Sequence, residues 1–145
     1  MTFDDEHHRI ALADLPDLER TSPRAAVVNH VAYTFDHLDD LLERYQELRE
    51  QGIEPWQPVQ HGVTTSLYYE DPDGNKVEMQ VDNFATAEAA TACMEGPEYD
   101  ADPIGVLFRP ELMIEARRAG TPAEEIQTRA WALRVSPELP APVMG

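Results

Sequence analysis

Tyr68–Gln80, YYEDPDGNKVEMQ, joins two β-patterned runs through a five-residue polar break. The flanking segments VTTSLYYED (Val63–Asp71) and KVEMQVD (Lys76–Asp82) are rich in β-branched and aromatic residues, as strands are. DPDGN between them is turn chemistry, with Gly74 free to take a positive φ, so the spacing predicts a hairpin. Glu78 then falls in mid-strand between apolar neighbours. A carboxylate buried there is costly unless it is paired or bound to a metal. Read alone, a glutamate such as Glu78 is more often a solvent-face residue, because Gln80 and Asp82 share its side of the strand.

Working outward, AVVNHVAYTF (Ala26–Phe35) is the clearest further strand, with alternation placing His30, Ala32 and Thr34 on one face and Val31, Tyr33 and Phe35 on the other. A helix follows. Asp36 is its expected N-cap, Leu38, Leu41, Leu42, Tyr45 and Leu48 recur at helical spacing, and Gly52 is placed to end it. IEPWQPVQHG (Ile53–Gly62) is Pro-rich and reads as irregular chain or a short edge strand. The order to this point is strand, helix, strand, strand, strand. Beyond it, ATAEAATACME, PELMIEARRAG and PAEEIQTRAWAL read as helices, the last two with Pro at their starts, while PIGVLFRP is a short apolar stretch. VSPELPAPVMG, with three prolines, is expected to fray. At the other end DDEHHRIAL places two adjacent histidines, His7 and His8, at the mouth of an alternating strand over Arg9–Leu15, and PDLERTSPRA reads as a linker.

Composition narrows the function classes. Twenty-eight acidic against 11 basic residues give a net charge of −17, which disfavours a nucleic-acid backbone or an anionic membrane surface as partner. One cysteine, Cys93, excludes an intrachain disulfide, and no apolar run approaches the ~20 residues of a membrane span. The expected location is cytoplasmic. No nucleotide-binding glycine pattern, P-loop or nucleophile elbow is present. At 145 residues the chain has the size of one domain.

Taken together, NHVAYTFDHLDDLLERYQELREQGI (Asn29–Ile53) and YYEDPDGNKVEMQ resemble the vicinal oxygen chelate superfamily, in which βαβββ modules pair into a cupped sheet around a divalent metal. The resemblance implies an α+β fold of paired βαβββ modules: residues 1–15 the remnant of a first, incomplete module, 16–25 a linker, 26–83 a complete module and 84–135 a helical C-terminal extension. DEHHRIAL is similar to the segment entering the last strand of the first module in type I extradiol ring-cleaving dioxygenases. Laying DDEHHRIAL over DPDGNKVEM sets Ala11 against Glu78, so the first module has no carboxylate where the second has one. That asymmetry favours the extradiol pattern of one His from each module and one Glu from the second.

On this resemblance His30 and Glu78 are metal ligands, for Fe(II) with Mn(II) as the alternative. His8 is the pocket acid/base, Tyr68, ten residues before Glu78, is the substrate hydrogen-bond donor, and His61 is the candidate for a further pocket histidine. His7 and Trp56 are candidate pocket residues, although core packing is the more common role for a residue such as Trp56. The implied substrates are a small catechol-like aromatic and O2, and a homodimer is expected because a half-cup leaves an apolar face uncovered. The family's first metal histidine has no counterpart here. Three arrangements account for that: a chain whose native form is longer, two chains sharing one metal as glyoxalase-like isomerases or lyases do, or a metal-free small-molecule binding protein.

Overall fold

The computed structural model describes residues 28–143; the strand expected over 9–15, the linker at 16–25, and His7 and His8 lie outside the described residues. The DPDGN turn sets the centre of the sheet. Asp71 Oδ1 accepts from the amides of Asp73 (2.9 Å) and Asn75 (2.8 Å), its Oδ2 accepts from the Asn75 side chain, and Gly74 takes φ +89°. This closure draws the Asp71 carboxyl below its ordinary pKa, chiefly through the Asn75 side chain. It also fixes the register of β3 (Thr64–Glu70) on β4 (Lys76–Asp82), so that Tyr68 faces Glu78.

β1 (His30–Phe35) runs parallel to β4, pairing Ala32 with Glu78, and β2 (Gln57–Gln60) is antiparallel to β3. The sheet order is β1-β4-β3-β2-β5, with β5 (Val106–Leu107) contributed by the C-terminal half. Because alternate residues face opposite ways, one face carries His30, Ala32, Glu78, Tyr68 and Gln57, and the other Phe35, Met79, Val81, Leu67 and Tyr69. The second face is the core. Helix α1 (Leu38–Glu50) lays Leu38, Leu41, Leu42 and Tyr45 on it. Helices α4 (Pro110–Arg118), α5 (Ala123–Ile126) and α6 (Arg129–Val135) complete the layer with Met113, Ile114, Ile126, Trp131 and Ala132. α4 is tied to α1 by a two-bond contact of Arg117 with Asp39, both 2.7 Å.

Four local expectations are corrected. His37, in extended conformation, is the N-cap of α1, so Asp36 lies one residue too early to cap it; Gly52 ends the helix at φ +78° as expected. β2 is an inner strand, because β5 pairs onto its far side. PAEEIQTRAWAL breaks into α5 and α6, since the Thr128 hydroxyl accepts from the Trp131 amide and begins a second helix. The C-terminal segment does not fray through Val143: the buried Gln57 amide donates to the Val143 carbonyl (3.0 Å) and accepts from its amide (2.8 Å). The Ala-rich run forms α2 (Ala87–Met94), capped by Thr86, and a short helix α3 (Pro97–Ala101) follows. Among the described residues no helix is long and apolar enough to cross a membrane.

Candidate active site

The open face of the sheet gathers His30, Glu78 and Tyr68 into one polar cluster. Glu78 stands mid-strand in β4 at 4 % exposure, between Tyr68 on β3 and Ala32 on β1. His30 lies two residues back along β1, and its Nε2 comes within 3.0 Å of Glu78 Oε2. Its other ring nitrogen meets Asn29 Oδ1 at 2.8 Å, which fixes the ring with Nε2 toward the carboxylate.

Two donors converging in this way fit a metal ion. Neighbouring ligands about 2.1 Å from an octahedral ion are themselves about 3.0 Å apart. An imidazole nitrogen and a buried carboxylate oxygen are also the donors that Fe(II) and Mn(II) accept. Among the described residues no third His, Cys, Asp or Glu joins them.

Tyr68 bridges this pair to His61. Its ring stands edge-on to His30 (centroids 5.4 Å apart) and to His61 (5.9 Å), and its hydroxyl lies 3.0 Å from His61 Nε2. His61 Nδ1 meets the Ile104 carbonyl at 2.5 Å. A carbonyl can only accept, so Nδ1 carries the ring proton, and in the neutral imidazole Nε2 accepts from the Tyr68 hydroxyl. Burial pulls the His61 pKa below its ordinary value, outweighing the upward pull of the Ile104 carbonyl, and so keeps the ring neutral. Burial also pushes the Tyr68 phenol well above its ordinary pKa, helped by the charge of Glu78. At neutral pH the site therefore presents a phenol that stays protonated beside an imidazole nitrogen open to a proton.

A cavity of about 110 Å³ opens on these groups, lined by His30, Tyr68, His61, Trp56, Gln57 and Val143 among others. Trp56 is at the rim, 40 % exposed, with the Lys76 ammonium 4.5 Å over its ring.

Of the residues singled out from the sequence, His30, Glu78, Tyr68, His61 and Trp56 come together here; Trp56, for which core packing is the stronger expectation, lies outside the core and lines the cavity. His7 and His8 lie outside the described residues. Sequence reasoning missed Gln57, Ile104 and Val143. Gln57 carried a signal, a polar residue at strand spacing opposite Tyr68, but Ile104 and Val143 act through backbone atoms and carry none.

Comparison with known proteins identifies the family. The profile of the Glyoxalase/Bleomycin resistance protein/Dioxygenase superfamily matches residues 1–79. Over a 146-position alignment the chain is 58% identical to biphenyl-2,3-diol 1,2-dioxygenase 2 of Rhodococcus globerulus, covering 100% of this chain and 77% of that protein. It is 54% identical over 136 residues to biphenyl-2,3-diol 1,2-dioxygenase 3 of the same organism, covering 92% of this chain and 72% of the relative. The relatives are dioxygenases, as the asymmetry between Ala11 and Glu78 led us to expect. With the profile spanning more than half its length and both relatives more than half identical to it, the chain belongs to the glyoxalase/bleomycin resistance protein/dioxygenase superfamily.

Proposed function

We propose that the chain is a non-haem Fe(II)-dependent extradiol dioxygenase, opening a catechol-like aromatic ring with O2. The diol named for its relatives, biphenyl-2,3-diol, is the first substrate to test. The observation that carries this reading is the His30–Glu78 convergence at 3.0 Å on the face shared with Tyr68 and His61.

His30 and Glu78 supply two ligands of a two-histidine, one-carboxylate set, with the third supplied from outside the described residues and Mn(II) as the alternative ion. When bound, Fe(II) would let electron density pass from the catecholate to O2, a reaction otherwise blocked by spin, so that the diol and not the iron is oxidised. The protein's own part is to position the diol and manage its protons. Tyr68, kept protonated, donates to a substrate oxygen, and His61 Nε2, whose resting partner is that same phenol, is open to a catechol proton. His8 completes this reading as the acid/base that returns a proton during ring opening. Trp56 and the tail at Val143 wall the ring in and limit water. The bond broken is the ring carbon–carbon bond beside the diol, and both oxygen atoms enter the product.

The reading also includes a cytoplasmic enzyme working as a homodimer; the half-exposed Val31 on β1, the edge of the sheet among the described residues, supports a further strand or chain packing there.

The test is to load the protein with Fe(II) anaerobically, add biphenyl-2,3-diol, and follow O2 uptake and absorbance together. One O2 per diol with a yellow ring-opened product is expected. Turnover without O2 uptake would replace the reading with a glyoxalase-like isomerase or lyase. Binding without turnover, with affinity unchanged by Glu78→Ala, would leave a metal-free binding protein.

A further inference from the structure

His61 owes its orientation to a residue that never reaches the cavity. The Arg129 guanidinium, at the start of α6, donates from both Nε (2.9 Å) and its second terminal nitrogen to the His61 carbonyl. Its remaining terminal nitrogen donates to the Asp102 carbonyl at 2.8 Å. The Asp102 carboxylate in turn accepts from the amides of Ile104 and Gly105, both at 3.0 Å, and so folds the loop that presents the Ile104 carbonyl to His61 Nδ1. Gly105, at φ +105°, lets that loop lie directly on the chain at His61, since a Cβ there would collide with the Gln60 carbonyl and the His61 Cα.

One planar fork thus holds the backbone of His61 and the loop carrying the carbonyl that orients its ring. The side chain is 16 % exposed and its charge is offset by Asp102 at 3.9 Å. A surface arginine that served charge alone would not spend all three donor positions on carbonyls of two different segments.

We propose that Arg129 is a positioning residue for the ring-opening reaction: by clamping the His61 and Asp102 carbonyls together it locks His61 in the Nδ1-protonated tautomer, leaving Nε2 as the proton acceptor facing the cavity. The inference rests on the role given to His61 above. It assigns the C-terminal helices a part in the site, since α6 supplies the clamp and the loop before β5 supplies the carbonyl.

The test separates the two claims. The tautomer is read from the ring nitrogen shifts of His61 in the metal-free full chain, assigned with His61→Gln, and turnover is read on the Fe(II)-loaded protein. The wild type is expected to show the Nδ1-protonated form, the less favoured one in free histidine. Arg129→Gln is expected to mix the tautomers and to lower kcat by on the order of 10- to 100-fold, as losing a positioning partner does, with iron content unchanged. Arg129→Lys, which reaches one carbonyl at a time, should fall between. Gly105→Ala displaces the Ile104 loop without touching Arg129 and should mix the tautomers equally; it carries the test if Arg129→Gln does not fold. An Nε2-protonated His61 in the wild type, or a single tautomer surviving in a folded Arg129→Gln, would overturn the proposal. A wild type that holds the tautomer but opens no ring would refute the catalytic reading and leave the clamp standing.

Discussion

Replacing Tyr68 by Phe removes one oxygen from the site and leaves the ring where it is. The edge-on contacts with His30 and His61 survive, and what goes is the hydroxyl 3.0 Å from His61 Nε2. In the resting protein that is one neutral hydrogen bond, about 0.5–1.5 kcal/mol, or a fall in Tm of roughly 2–5 °C at this size. In the reaction the same hydroxyl is assigned to a substrate oxygen carrying negative charge, where a hydrogen bond is worth about 1.5–3 kcal/mol. At about 1.36 kcal/mol per tenfold, kcat/KM should drop about 10- to 150-fold. The assay is steady-state O2 uptake on biphenyl-2,3-diol, with iron content and Tm taken on the same sample. A Tyr68→Phe protein with full iron and kcat/KM within about threefold of wild type would refute the assignment, because a purely structural hydroxyl moves Tm but not turnover.

The remaining expectations concern other groups. His8→Ala should keep iron but slow turnover by about 10²–10⁴-fold, and an unchanged rate would remove His8 from the mechanism. His61 is buried with a lowered pKa, so below about pH 6.5 the unfolded chain binds more protons than the folded one, and stability, full above that pH, is lost as pH falls. Urea midpoints of the metal-free protein from pH 7.5 to 5 should therefore fall more steeply in wild type than in His61→Gln, and equal slopes would contradict the burial argument. Leu41, fully buried between α1 and the sheet, should cost about 2–5 kcal/mol as Leu41→Ala in denaturant unfolding, with a value under about 1 kcal/mol showing that the core is not where we place it.

What could be read in the sequence was what short-range chemistry determines. DPDGN fixes its own turn, the turn fixes the register, and the register sets Tyr68 against Glu78, so half of the site followed from thirteen consecutive residues. His30 needed one more step, strand alternation, and its meeting with Glu78 depends on a parallel pairing 46 positions away in register that no local pattern specifies. The partners of His61 were out of reach for the same reason: the carbonyl on Nδ1 is 43 residues away and the guanidinium on its own carbonyl 68. The ends of α1, α2 and α4 were read to within a residue or two, and the misplaced cap at Asp36 shows why, since His37 begins α1 by backbone conformation with no side-chain hydrogen bond to advertise it. The tail was misread because prolines report what a segment cannot form, not what holds it; the Gln57 amide pairs with the backbone of Val143.

Iron retention compared across wild type, His30→Ala and Glu78→Gln tests the central claim most directly, because the claim is that these two side chains hold the ion. The protein is loaded with Fe(II) without oxygen, desalted, and assayed for iron and folded content. We expect the wild type to retain iron, and each variant to lose most of it while staying folded, since both side chains lie on the open face away from the core. Iron retained equally by all three, or by none, would contradict the account.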